Sequence, residues 1–332
     1  MEKVYTFLER TTVKYLTKRK ALKAYEKRRK KTIFTEIYSW IDALVFAVVV
    51  VMLINQFLFQ LFVIPSPSMV KTLLVGDRVV VNKLSYGLEP YPAARNRFFR
   101  ENHRVERDDI ITFYNPEYNS KGPVFDILSQ AIFMGTLSLV NIDRNEDGSV
   151  AERLYVKRAV GFPGDQVRVK DGNILIRPAG YDRFMTEEEF RKENGLSSGP
   201  NRSADFTLYD GLKAWARLYA DREKGNKTRT THLLNSFEAV KDEDFPFDLY
   251  EFESQRAKEH TFIDPSSREY RGESAKFRAG IYVPNDYILP LGDNRDNSHD
   301  GRYFGPVGED RINGRVIYRF WPINRASVMT DK

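Results

Sequence analysis

Ser68 lies in the run Ile64-Pro65-Ser66-Pro67-Ser68-Met69. A serine hydroxyl becomes a nucleophile only with a base in hydrogen-bond reach. Histidine is the usual base, and the chain has four: His103, His232, His260 and His299. The run Ser298-His299-Asp300 has the residue types of a triad. Consecutive side chains diverge, however, and cannot pass a proton from hydroxyl to imidazole to carboxylate. The chain has no cysteine, which excludes disulfides, thiol nucleophiles and thiolate metal sites. A lysine can act as the base if burial lowers its pKa, because a low dielectric disfavours the ammonium. Lys157 is the candidate, in Leu154-Tyr155-Val156-Lys157-Arg158-Ala159-Val160-Gly161, an apolar strand that closes on a glycine turn. Alternation puts Tyr155 and Lys157 on one face of that strand. Spacing alone leaves the ordinary alternatives open: a Ser-Pro-Ser loop and an exposed strand lysine, since lysine is almost never buried.

Several elements must position these two residues. The charged fraction is 30% and the net charge +6, and the cations are unevenly placed. Residues 1–36 carry Lys14, Lys18, Arg19, Lys20, Lys23, Lys27, Arg28, Arg29, Lys30 and Lys31 with few helix breakers. This reads as a basic helix, either a solvated face or a flank drawn to anionic lipid. No charged side chain occurs from Ala43 to Ile64. As a helix that stretch spans roughly 33 Å, enough to cross a hydrocarbon layer. Tyr38 and Trp40 stand where an aromatic belt would lie. A buried core helix is the competing reading, and a cleaved signal peptide fits worse because the preceding region is too long. The boundaries read from the pattern are a basic segment 1–36 and an anchor 37–64. The positive-inside rule places the N-terminus in the cytoplasm and the rest of the chain outside.

Beyond the anchor come short apolar runs of strand character: 78–81, 109–113, 154–157, 166–169 and 173–176, with glycine turns between them. The expected fold is mainly β, an antiparallel catalytic domain interrupted by an inserted α+β subdomain. Its parts are 65–177, itself carrying an insertion at 119–150, then the inserted subdomain 178–280, then 281–332. Helices are expected near 186–190 and 210–220 inside the larger insertion.

Four runs occur in order: Ser66-Pro67-Ser68-Met69, Gly76-Asp77-Arg78-Val79, Tyr155 to Asp165, and Gly292-Asp293-Asn294-Arg295-Asp296-Asn297-Ser298-His299-Asp300-Gly301-Arg302. Together they resemble the boxes of bacterial type I signal peptidases, membrane-anchored serine proteases that use a Ser-Lys dyad. The resemblance implies Ser68 as nucleophile and Lys157 as general base. It implies an oxyanion hole from the Ser68 backbone N–H and the Ser66 hydroxyl, and Ser298 as the serine that orients the lysine. It further implies a supporting ion pair of Asp300 and Arg302, with Asp293 and Arg158 as structural supports. Ile64, Pro65, Met69, Leu73, Tyr155 and Val156 match the substrate pockets, shallow and apolar, which select small side chains as in Ala-X-Ala. No cofactor or metal is implied. The implied partners are secretory preproteins and membrane lipid, with the export translocon nearby and no nucleic acid. The implied location is the bacterial cytoplasmic membrane, crossed once. Two positions depart from the pattern: Lys71 stands where the family usually has proline, and Asp108 where it has glycine.

Two stretches fall outside the resemblance. Residues 124–142 are mostly apolar and read either as a core-packing helix or hairpin, or as a surface that dips into the outer leaflet. Asp143, Asn145, Asp147 and Gly148 mimic the start of a calcium loop, but its twelfth position is Leu154 rather than glutamate, so an acidic turn is expected. Other readings of the whole chain are a self-cleaving Ser-Lys protease of the repressor type, which would carry a soluble DNA-binding domain, and a membrane-tethered scaffold without activity.

Overall fold

The computed structural model describes residues 2–28, 33–87, 104–118, 120–135, 140–144, 148, 151–196, 206–226, 231–238 and 248–329. The chain divides into a unit of residues 1–52 and a unit of residues 53–332. The first unit begins with the basic helix α1 (Glu2–Arg28), whose side chains from Glu9 to Leu22 are exposed. Helix α2 (Ile33–Phe57) follows, and within it Glu36–Phe57 is long and apolar enough to cross a membrane.

The apolar stretch expected to run as a single anchor to Ile64 is divided. The helix stops at Phe57, and Phe59–Val63 forms strand β1. Phe59-Gln60-Leu61-Phe62-Val63 alternates in exposure as a strand does, and Pro65 disfavours helix in the residue before it. Strand β1 pairs antiparallel with β2 (Arg78–Asn82), Phe62 opposite Val79 and Leu61 opposite Val80. Phe62 packs toward the core while Leu61 and Val63 face outward.

The remaining elements are β3 (Ile110–Tyr114), α3 (Pro123–Gly135), β4 (Leu154–Gly161), β5 (Gln166–Lys170), β6 (Asn173–Arg177), β7 (Met185–Thr186), α4 (Glu187–Glu193), α5 (Phe206–Glu223), α6 (Thr231–Glu238), α7 (Leu249–Ile263), α8 (Arg268–Ala279), β8 (Ile281–Tyr282), β9 (Tyr287–Leu291), α9 (Gly301–Phe304), β10 (Val307–Gly308), β11 (Ile312–Trp321) and β12 (Ser327–Val328). The larger sheet runs β1-β2-β11-β3-β4-β9-β10, with β12 on β11; the smaller runs β7-β6-β5-β8. The pairings in both sheets are antiparallel. Strand β4 is interior to the larger sheet, and β9 beside it leads directly into the loop Gly292–Arg302. This neighbouring, made across more than a hundred residues, sets the site.

The segment after Pro178 combines strand and helix, most of it helix. Among its described residues only β7 is strand, followed by α4 to α8. Helix α4 starts at a capping box, Thr186 accepting from the Glu189 backbone while the Glu189 carboxylate accepts from the Thr186 N–H. Asp248 and Ser267 cap α7 and α8. Leu212, Ala216 and Phe252 form a small core between α5 and α7, with Trp215 packed against it.

Helix α3 has its polarity turned inside out. Asp126 and Ser129 are buried, held by Arg153 at 3.1 and 2.7 Å, while Val124, Ile127 and Leu128 are exposed. Its described part is therefore not a core-packing helix; Phe133, Met134, Leu137 and Leu139 lie outside the side chains described. Asp143 of the acidic turn is paired with Arg153 and accepts from the Tyr118 hydroxyl at 2.8 Å. Asn145 and Asp147 lie outside the described residues.

Candidate active site

Two prolines shape the turn that carries the serine. Pro65 and Pro67 fix their own φ, Ser66 is extended (φ −130°, ψ 159°), and Pro67–Met69 closes a single 3-10 turn. Met69 and Leu73 then enter a core cluster with Ile64, Val79, Val81, Ile110, Val156 and Val316. Fully burying such side chains contributes about 1.5–3 kcal/mol each, which pins the turn to the sheet. From the other side Asn294 donates its N–H to the Ser68 carbonyl at 3.0 Å and its amide to the Pro67 carbonyl at 3.2 Å. The Ser66 and Ser68 hydroxyl oxygens lie 3.2 Å apart.

Lys157 sits on β4 opposite Ile111 of β3, and its Nζ lies 2.6 Å from Ser68 Oγ. The lysine is 4% exposed, so the burial that spacing alone could not establish is present. That burial lowers its pKa to about 8; Asp300, Glu152 and Asp293 oppose the shift, and Arg302 adds to it. Tyr155 shares the face, its ring centroid 5.5 Å from the Lys157 nitrogen. The arrangement is a hydroxyl in contact with an amine that is in part neutral near neutral pH.

The loop after β9 closes over this pair. Asp300 accepts from the Gly292 N–H at 2.9 Å and from Arg302 Nε at 2.9 Å, with both ion-pair side chains fully enclosed. Burial alone would raise the Asp300 pKa, but Arg302, the Gly292 N–H and Lys157 together hold it below the usual carboxylate range. Asp293 takes Arg158 through two bonds of 2.8 Å and also accepts from the Thr72 hydroxyl. Ser298 is buried, yet its hydroxyl makes no hydrogen bond to Lys157 or to any other described group. The expected serine–lysine bond is thus not formed, although Ser298 sits on the same loop. Gly292 is tightly packed in this arrangement: a Cβ there would stand 2.0 Å from Ser298 Oγ and 2.6 Å from the Ser68 carbonyl oxygen.

Of the residues matched to substrate pockets, Ile64, Met69, Leu73 and Val156 are buried beneath the turn, Tyr155 is half-buried and Pro65 is exposed. Ile64, Met69, Leu73 and Val156 belong to one core cluster, and Tyr155 packs against another. His299 points elsewhere, pairing with Glu117 at 2.8 Å and stacking on Tyr303. Sequence reasoning missed Thr72, Gly292 and Asn294, whose positions inside or beside the matching runs were the available signal. It also missed Glu187, Arg191, Tyr209 and Asp248 in the inserted segment, for which no local signal exists.

Residues 37–321 match the family model described as "Signal peptidase, peptidase S26". The chain is 27% identical over 275 residues to Signal peptidase I of Buchnera aphidicola subsp. Baizongia pistaciae, covering 81% of this chain and 72% of that one. It is 27% identical over 293 residues to Signal peptidase I of Haemophilus influenzae, covering 88% and 72%. To Signal peptidase IB of Staphylococcus aureus (strain COL) it is 22% identical over 289 residues, covering 87% and 92%.

Proposed function

We propose how this chain, which belongs to the signal peptidase family S26 and is therefore a serine protease, removes signal peptides: Ser68 attacks and Lys157 is its base. The observation that carries this is the 2.6 Å contact between a buried lysine and the serine hydroxyl. Neutral Lys157 takes the proton from Ser68 Oγ as that oxygen adds to the scissile carbonyl. The negative charge that develops on the carbonyl oxygen is met by the Ser68 N–H and the Ser66 hydroxyl; one such donor is worth about 3 kcal/mol in the transition state. The tetrahedral adduct collapses to an acyl-enzyme, and the Lys157 ammonium gives its proton to the departing amine. Lys157 then takes a proton from the water that attacks the ester, and returns it to Ser68 Oγ as the carboxyl product leaves.

Asp300 is held as a carboxylate by Arg302, so it lies beside Lys157 without taking its proton. Ser298, buried on the same loop and matched to the family serine that orients the lysine, is assigned that role. Ile64, Pro65, Met69, Leu73, Tyr155 and Val156, which match the family's substrate pockets, are taken as the apolar surface that selects small side chains, hence Ala-X-Ala-like sites in secretory preproteins. Helix α2 anchors the protein in the membrane, and the cations of α1 favour the cytoplasmic side for the N-terminus. The catalytic sheet then works at the outer face of the cytoplasmic membrane, near the translocon that delivers its substrates. The outward side chains Leu61, Val63 and Trp321 give that sheet an exposed apolar surface suited to lipid.

The test uses the full chain in detergent with a preprotein whose leader ends in Ala-X-Ala. Cleavage is expected from the wild type and not from Ser68→Ala or Lys157→Ala. Cleavage that survives Lys157→Ala refutes the dyad.

A further inference from the structure

The loop Gly292–Arg302 does not stand on the catalytic sheet alone. Two adjacent residues in it, Arg295 and Asp296, are held by side chains from the inserted segment, and from two different helices. On one side Glu187, the first residue of α4, accepts from Arg295 Nη2 at 2.6 Å and from Nε at 3.3 Å. Arg295 donates in turn to the Gly292 carbonyl and lies 4.0 Å from Asp293. Arg191, one turn further along α4, lies 3.5 Å from Glu187 and pairs with Asp108. Three guanidiniums, Arg158, Arg295 and Arg191, thus alternate with three carboxylates, Asp293, Glu187 and Asp108, in one series of contacts that joins β4 to α4. On the other side Tyr209 of α5 is 1% exposed, and its hydroxyl lies 2.7 Å from Asp296 Oδ1 and 2.8 Å from Asp248 Oδ2 at the start of α7.

What the loop does makes this grip consequential. Its Asn294 N–H holds the Ser68 carbonyl, its Gly292 N–H holds Asp300, and its backbone at Gly292 packs against both Ser298 and Ser68. A displacement of about 1 Å in such a constellation costs on the order of a hundred-fold in rate. Arg295 is held from α4 and Asp296 from α5, so the loop is restrained at two adjacent positions by two different elements.

We propose that Glu187 and Tyr209 are positioning residues for the dyad, holding through Arg295 and Asp296 the loop that fixes Ser68 and closes over Lys157. The inserted segment is then part of the catalytic unit and not an appendage to it. The proposal rests on the Ser68–Lys157 reading.

The experiment compares Tyr209→Phe, Glu187→Ala and Glu187→Gln in the full chain, reading kcat, KM, the pH profile of kcat/KM and the thermal midpoint. Tyr209→Phe and Glu187→Ala should each lower kcat about ten-fold, a change of about 1.4 kcal/mol, with KM within two-fold of wild type. Glu187→Gln, which keeps an acceptor for Arg295, should recover most of that loss. A loosened loop also admits water to Lys157, whose charge is felt by Asp300, Glu152, Asp293 and Arg302. The acid limb of kcat/KM should therefore move upward in Tyr209→Phe and Glu187→Ala, toward the ordinary lysine range. A merely structural role would lower the thermal midpoint and leave the limb in place, and that result overturns the proposal. So does wild-type kcat in both variants; if Tyr209→Phe does not fold, the Glu187 pair decides. Activity surviving in Ser68→Ala or Lys157→Ala would instead sink the dyad reading, whatever the Tyr209 and Glu187 variants do.

Discussion

The pH dependence of kcat/KM tests the dyad most directly, because burial and chemistry meet in a single number. Lys157 must be neutral to accept the proton from Ser68. Its pKa is lowered from 10.5 to about 8, burial being the largest cause. At pH 7 about one molecule in ten then has the neutral amine, against about one in three thousand for an unperturbed lysine. The shift is worth about 300-fold in available base, or about 3 kcal/mol. With a short peptide substrate, so that chemistry limits the rate, kcat/KM should rise about 50-fold between pH 6 and pH 8 and level off above pH 9. Lys157→Arg should be inactive throughout, since a guanidinium stays protonated over this range. A wild-type limb near 10.5 would refute the burial read from the structure. A limb near 6.5 that persists in Lys157→Ala would point to a histidine, and a flat profile from pH 6 to pH 9 would remove the lysine from the mechanism.

Three further outcomes follow from the same groups. Lys157 carries a folded-state pKa below its unfolded value, so the folded protein binds fewer protons between pH 8 and pH 10.5 and gains stability as pH rises through that window. Lys157→Met should therefore be more stable than wild type at pH 7 by up to about 3 kcal/mol in urea unfolding, and the advantage should shrink toward pH 10.5; equal stability at pH 7 contradicts the cost of the buried ammonium. Gly292→Ala places a methyl 2.0 Å from Ser298 Oγ and 2.6 Å from the Ser68 carbonyl oxygen, so the loop must move: kcat should fall about a hundred-fold or more, and a loss under two-fold refutes the packing. Asp248 is pushed up from 3.8 to about 6, chiefly by burial, so wild-type stability should fall as pH rises from about 4 to about 6. Asp248→Asn, which still caps α7, should flatten that fall, and an unchanged pH dependence counts against it.

Much of the sheet was legible because short apolar runs bounded by glycine turns read as strands. The runs at 78–81, 109–113, 154–157, 166–169 and 173–176 each fall on a strand. The helix expected near 186–190 is α4, which opens on the Thr186–Glu189 capping box. The division at Phe57 was not legible, since hydropathy alone cannot separate an apolar strand of five residues from the end of a spanning helix. For Lys157, alternation gave the face of the strand but not what covers it. The cover is the Gly292–Arg302 loop, brought alongside β4 by β9, and the Arg158–Asp293 pair that secures it joins residues 135 apart. The grip of Glu187 and Tyr209 on that loop is equally non-local, reaching across 108 and 87 residues.

The departure at Asp108 and the presence of the inserted segment are physically one feature. Asp108 has φ 73°, a left-handed conformation in which glycine is at ease and an L-residue costs about 1–2 kcal/mol. Lys71, at φ 81°, is likewise in a conformation closed to proline, whose φ is held near −65°, and it is exposed. Asp108 differs in being buried. Its backbone carbonyl accepts from Arg158 at 3.1 Å, and its carboxylate takes Arg191 of α4, which is itself buried. Burial raises the Asp108 pKa despite Arg191 and Arg158, so the ion pair is not a source of net stability by itself. Its loss would nevertheless take from the buried Arg191 guanidinium its shorter ion pair, leaving the Glu187 carboxylate at 3.5 Å. Asp108→Gly therefore relieves about 1–2 kcal/mol of backbone cost and incurs up to about 3–5 kcal/mol for the buried arginine that loses this partner, a net loss of up to a few kcal/mol in urea unfolding. Asp108→Gly combined with Arg191→Met removes both charges and should restore wild-type stability or exceed it. If Asp108→Gly alone is neutral or stabilising, the backbone strain outweighs the ion pair, and α4 is not held to the catalytic sheet through this position.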